Sequence, residues 1–192
     1  MILAAVEGYP DEEVVRKILD SIGLADLIML RKRGKGDLDA AIPELNRSAN
    51  SLRCLIVRDM DNDAKCPAEL LKILVPHPSK NLLFRVAERE IESWLLGDVD
   101  AFAAFLDVPR ARFPESPDLV KDPKSLVTTL AAKSKNRRIR EDMPPRPGSG
   151  IAVGPGYAGL LGQFARDDWR PGVAMTMSPS LRRCISRLQA WR

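Results

Sequence analysis

Apolar residues recur along this chain with two different periods. Residues 2–6 form a short unbroken apolar run, and residues 26–32, 52–58 and 81–86 carry runs of the same kind. Runs of this length, apolar on both faces, predict strands of a buried parallel sheet. Between them the spacing becomes helical. Val14, Val15, Ile18, Leu19 and Ile22 share one helix face, and Asp11, Glu12 and Glu13 in the first turn suit the positive helix end. Gly23 is a good residue to end that helix. Asp37 is placed to cap a second helix running to about Ser48, and Pro67 to open a third with Leu70, Leu71, Ile73 and Leu74. The fourth strand is expected to run straight into a helix over 87–96. The order β-α-β-α-β-α-β-α predicts an α/β fold, a mostly parallel sheet flanked by helices. Such sheets carry functional groups at the carboxyl ends of their strands.

The second half reads differently. Helices are expected over 100–106, 124–133, 157–166 and 180–191, separated by Pro/Gly-rich stretches around 144–156. There is no internal repeat and no clear linker. Residues 1–98 are therefore read as the α/β domain and 99–192 as a basic, mainly helical extension packed on it.

Composition narrows the setting. The 192 residues are 45% apolar and 29% charged, ordinary for a soluble globular protein. No segment approaches the roughly 20 apolar residues that span a bilayer. The chain begins with an apolar run without a basic flank and meets Glu7, which reads as a first strand and not a secretion signal. The odd set Cys54, Cys66 and Cys184 fits no zinc spacing and implies reduced thiols in a cytoplasmic protein. The single histidine, His77, lies between two prolines, so any chemistry must rest on carboxylates, Lys, Arg, Ser or Tyr. Charge is uneven: residues 1–109 hold 14 Lys+Arg against 19 Asp+Glu, and residues 110–192 hold 16 against 7. That asymmetry suggests a cation site beside a surface that holds a polyanion, or simply a solvated Arg-rich tail.

The acids give the sharpest pattern. Glu7 ends strand one, Asp59 ends strand three, and Asp61 and Asp63 follow closely. If strands one and three are neighbours, about 4.8 Å apart, Glu7, Asp59 and Asp61 converge, since residues two apart in an extended stretch share a side. Two carboxylates about 5 Å apart repel by roughly 3 kcal/mol at an effective dielectric of 20. Oxygen ligands without histidine or thiolate relieve that with a hard cation, Mg²⁺ or Mn²⁺. On the expected helix 87–96, Glu88 and Glu92 both fall inside the apolar arc, as a second metal position or as acids paired with Arg58 or Arg85.

The strand-ending Glu7-Gly8 with Asp11 in the helix behind it, and the strand-ending Asp59-x-Asp61 two strands later, resemble the Toprim domain over about residues 1–96. The whole chain is similar to small stand-alone bacterial Toprim-like proteins, some placed in phage defence beside ATPases; residues 85–96 and 154–157 add to the likeness. The resemblance implies acid/base or metal duties for Glu7 and Mg²⁺ held by Asp59 and Asp61, hence a nuclease acting on DNA or RNA, with an ATPase partner and a homodimer as further arrangements. Candidate nucleic-acid contacts are Arg31, Lys32, Arg33 and Lys35 on the turn after strand two, Lys124, and Lys133, Lys135, Arg137 and Arg138. The competing readings are a non-catalytic metal-containing module that binds nucleic acid or regulates an ATPase, and a phosphatase whose nucleophile sits in an Asp-x-Asp. The phosphatase motif normally ends the first strand, where this chain has Glu7.

Overall fold

The computed structural model describes all of residues 1–192. The four apolar runs form strands β1 (Ile2–Val6), β2 (Leu27–Arg31), β3 (Arg53–Asp59) and β4 (Leu82–Ala87). All pair in parallel, in the order β2-β1-β3-β4. Strands β1 and β3 are thus neighbours, with Ala5 opposite Ile56, and their carboxyl ends share one rim. The three crossovers carry helices α1 (Tyr9–Ser21), α2 (Lys35–Ser48) and α3 (Pro67–Leu74).

Alternation along the strands divides the core in two. Ala5, Cys54, Ile56 and Phe84 pack with Leu38, Ile42 and Leu45 of α2. Ala4, Val6, Leu55 and Val57 face the opposite way, onto Val14, Val15 and Ile18 of α1. Both faces are therefore covered, which is why β1 is apolar throughout and β3 is apolar over Cys54–Val57.

The second half completes that larger core. It folds as α5 (Val99–Leu106), α6 (Pro123–Ala131), α7 (Arg137–Asp142), α8 (Tyr157–Asp167), α9 (Pro171–Ala174) and α10 (Pro179–Gln189), preceded by the short α4 (Glu92–Leu96). Leu161, Phe164, Leu181 and Leu188 belong to the same buried cluster as Val6 and Ile18, so the apolar core runs unbroken past residue 98. Helix α8 lies so close to α1 that a Cβ at Gly162 would collide with the Tyr9 ring. No helix is long and apolar enough to cross a membrane.

The expected helix over 87–96 is corrected. β4 continues to Ala87, Arg89 takes a left-handed conformation (φ 69°), and only Glu92–Leu96 is helical. The cause lies in the backbone. Met60 N–H donates to Ala87 C=O at 3.0 Å and Asp61 N–H to Arg89 C=O at 2.8 Å, so the exit of β3 holds the backbone of residues 87–89 out of a helix. Glu88 and Glu92 consequently do not share a helix face.

The α1–α8 contact makes a contrast within one helix. Gly162→Val is expected to lower unfolding free energy by about 1–3 kcal/mol through overpacking. Gly159→Ala, with nothing within 4 Å of its added Cβ, is expected to raise it by up to about 1 kcal/mol through helix propensity. Denaturant unfolding of the two variants measures both.

Candidate functional site

Glu7 follows β1 directly, and one of its oxygens accepts the Asp59 backbone N–H at 2.9 Å across the rim. That bond fixes Glu7 beside the end of β3. Asp59 itself is buried, as are Asp11 in the first turn of α1 and Glu92 at the start of α4. Asp11 Oδ1, Asp59 Oδ1 and Glu92 Oε2 are each shut off from solvent without a donor. The other Glu92 oxygen accepts the buried Tyr157 hydroxyl at 2.9 Å. These acids line a cleft of about 490 Å³ together with the basic turn after β2 and Lys124.

The acids shape one another's charge. Burial, then the nearby carboxylates of Glu92 and Glu7, push Asp11 up to about 7. Burial, then Asp11, Glu92 and Glu7, push Asp59 well above the usual carboxylate range. Burial raises Glu7 as well, against the Asp59 amide and the Arg58 guanidinium. Burial likewise raises Glu92, with Lys124 opposing it. Lys124 is the counter-charge on this side: its ammonium lies 3.0 Å from Glu90 Oε1 and 3.8 Å from Glu92 Oε1. Its backbone N–H donates to the other Glu90 oxygen at 2.8 Å. Burial works against the Lys124 charge, but Glu92 and Glu90 hold it protonated.

A second set of charges is already paired. Arg58, only 2% exposed, sends its guanidinium beneath the rim. It reaches Asp39 at 3.0 Å, Asp63 at 2.6 Å and Glu7 at 3.6 Å. Lys35 binds Asp61 at 2.9 Å and Asp63 at 3.1 Å. Asp63 is held below the usual carboxylate range: burial opposes its charge, but the bonds from Arg58 and Lys35 outweigh it.

Of the expected trio, Glu7 and Asp59 line the cleft, while Asp61 stays near enough for its charge to raise Glu7 but is held by Lys35 outside it. Asp61 has φ 48°, which ends the extended stretch at Met60 and turns its carboxylate to Lys35. Neither Asp61 nor Asp63 lines the cleft. Asp11 lines the cleft beside Glu7 and Asp59. Its signal was present but faint: it stands i, i+3, i+4 and i+7 with Val14, Val15 and Ile18, on the buried face, unlike Glu12 beside it. Glu88 pairs with Arg183 of α10, outside the cleft. Glu90 and Tyr157 went unassigned because only the tertiary fold brings them to the rim.

The basic candidates also divide. Arg31, Lys32 and Arg33 line the cleft, with Arg31 5.6 Å from the Tyr9 ring centroid and 3.4 Å from Glu12. Lys35 is committed to Asp61 and Asp63. Lys133, Lys135, Arg137 and Arg138 lie at the junction of α6 and α7, exposed and away from the cleft, with Arg137 paired to Glu141.

The chain matches no protein-family model, no curated protein and no solved structure.

The donor set suits a hard cation: oxygen ligands only, several of them buried and lacking donors, with no histidine or thiol among them. No three acids are already drawn together at metal-binding spacing. A bound ion would therefore have to pull them inward by side-chain rotation.

Asp11 makes the pH dependence specific. Its folded value, about 7, lies above the ordinary 3.8, so between these pH values the folded state holds more protons than the unfolded one. Stability accordingly falls as pH rises through that window. Asp11→Asn is expected to flatten this dependence and to be more stable than the parent at pH 8 without metal. Unfolding followed from pH 4 to 8 in EDTA measures the difference.

Proposed function

We propose that this protein is a divalent-cation-dependent phosphodiesterase acting on nucleic acid, built on a Toprim-like domain. The observation that carries the reading is the set of three buried carboxylate oxygens without donors. They come from α1, β3 and α4 and share a cleft with a basic turn. Leaving three such oxygens unpaired is costly in a folded protein, and a cation removes the cost. Strand carboxyl ends are where parallel α/β sheets place their chemistry.

In this reading Asp11, Asp59 and Glu92 would hold Mg²⁺ or Mn²⁺, and Tyr157 fixes the Glu92 carboxylate. The ion would supply Lewis acidity toward a phosphate oxygen and toward the attacking water. Glu7, pinned by the Asp59 amide and with its affinity for a proton raised, orients and deprotonates that water. Lys32 and Arg33 hold the strand by its phosphates, and Lys124 lines the same cleft. Arg58 and Lys35 neutralise Asp39, Asp61 and Asp63, so these acids brace the rim. The resemblance to defence-associated proteins adds an ATPase partner to the proposal.

A second reading, a metal-containing module that binds nucleic acid without cutting it, draws on the acids not being pre-gathered at ligand spacing.

Purified protein with Mg²⁺ or Mn²⁺ is expected to cut plasmid or single-stranded substrates, and EDTA to stop it. Asp59→Asn, Asp11→Asn and Glu92→Gln are each expected to cost roughly 100-fold or more, because several kcal/mol of charge stabilisation is lost. Asp61→Asn is expected to stay within about tenfold of the parent, since it removes a bracing charge and no ligand. Cleavage undiminished in Asp59→Asn contradicts the assignment, and binding without cleavage favours the module.

A further inference from the structure

A second cleft, of about 570 Å³, adjoins the acid cleft, and Lys124 lines both. One wall is a face of α6: Ser125, Thr128, Thr129 and Ala132 recur at i, i+3, i+4 and i+7 and carry only small side chains. The facing wall is Pro144, Pro145 and Ala152 of the loop over 144–152. Its volume lies within the roughly 300–1,000 Å³ of small-molecule sites. Thr128 Oγ1 donates to the Ser125 carbonyl at 2.9 Å. Ser125 and Thr129 are exposed, and their hydroxyls make no bond within the protein.

We propose that this cleft binds the terminal nucleoside of the polynucleotide whose phosphate is attacked in the acid cleft. The inference rests on the phosphodiesterase reading and adds to it a binding site and a substrate class. Lys124 lines both clefts, and a phosphate between a reacting centre and its flanking nucleoside would share its ammonium with Glu90. The free hydroxyls suit the polar edges of a sugar or base, and the proline rings offer flat apolar contact to its face. Charge sets the length. Lys124 is the one cation among the lining residues, whereas Glu90 and Asp122 both line the same cleft. A continuing run of phosphates would meet acids there, and a chain end does not.

The test uses the full-length protein in EDTA, with AMP, adenosine and inorganic phosphate as separate probes. Thr129 is exposed, so Thr129→Trp fills the cleft without disturbing the core; its unfolding temperature confirms the fold. AMP is expected to bind more tightly than phosphate, and Thr129→Trp to weaken AMP by tenfold or more while leaving phosphate unchanged. AMP binding no tighter than phosphate, or unchanged in Thr129→Trp, overturns the proposal. With Mn²⁺ added, linear single strands are expected to be degraded and circular ones spared; equal cleavage of circles overturns the chain-end assignment. If no diester is cut but the AMP results hold, the catalytic reading fails and the nucleoside site stands.

Discussion

Repulsion among carboxylates withdrawn from water is the constraint around which this molecule is arranged. A parallel sheet brings strand ends to one rim, and here two neighbouring strands deliver Glu7 and Asp59 to it. The fold answers that charge differently on its two sides. Toward β2 and α2, Arg58 and Lys35 pair with Asp39, Asp61 and Asp63. Toward α4 and α8, Asp11, Asp59 and Glu92 keep buried oxygens without donors, and among the ion pairs only Lys124 reaches one of them, 3.8 Å from Glu92. Removing one partner of a buried ionic set leaves the others uncompensated, at a cost of about 3–5 kcal/mol. Arg58 is thus a structural keystone, whereas the acids on the other side keep oxygens without donors.

The second half of the chain is inseparable from this arrangement. Its helices seal one face of the sheet and share a core with α1. They also deliver Tyr157 to Glu92 and Lys124 to Glu90. An isolated 1–98 segment would lose the cover of α8 over α1 and both of these polar contacts. The domain boundary at residue 98 therefore marks a change of composition and not a boundary in packing.

Much of the fold was readable because burial on two faces leaves an unmistakable apolar run. The four strands and the crossover helices follow from such runs and their spacing, whereas the adjacency of β1 and β3 is seen only in the folded sheet. Pro67 opened α3 as expected, since a proline costs nothing where the first N–H is unpaired anyway. The site was legible only in part. Glu7 and Asp59 stand at strand ends, where sequence position and rim position coincide. Asp61 did not follow, because one left-handed residue inverts the alternation on which its placement depended. Glu88 did not follow because backbone bonds from Met60 and Asp61 override a helical pattern across 87–90. Lys124 and Tyr157 approach from 34 and 65 residues away in sequence, and no local period records such a contact.

The proposed activity depends on a cation held by Asp11, Asp59 and Glu92. The direct measurement is Mn²⁺ binding to the metal-free protein, by calorimetry or by the spin resonance of the free ion, in the parent and in single-acid variants. Binding is predicted to vanish or weaken strongly in Asp11→Asn, Asp59→Asn and Glu92→Gln and to persist in Asp61→Asn and Asp63→Asn. Binding that survives the first group and is lost in the second would place the ion on the opposite side of the rim and contradict the account.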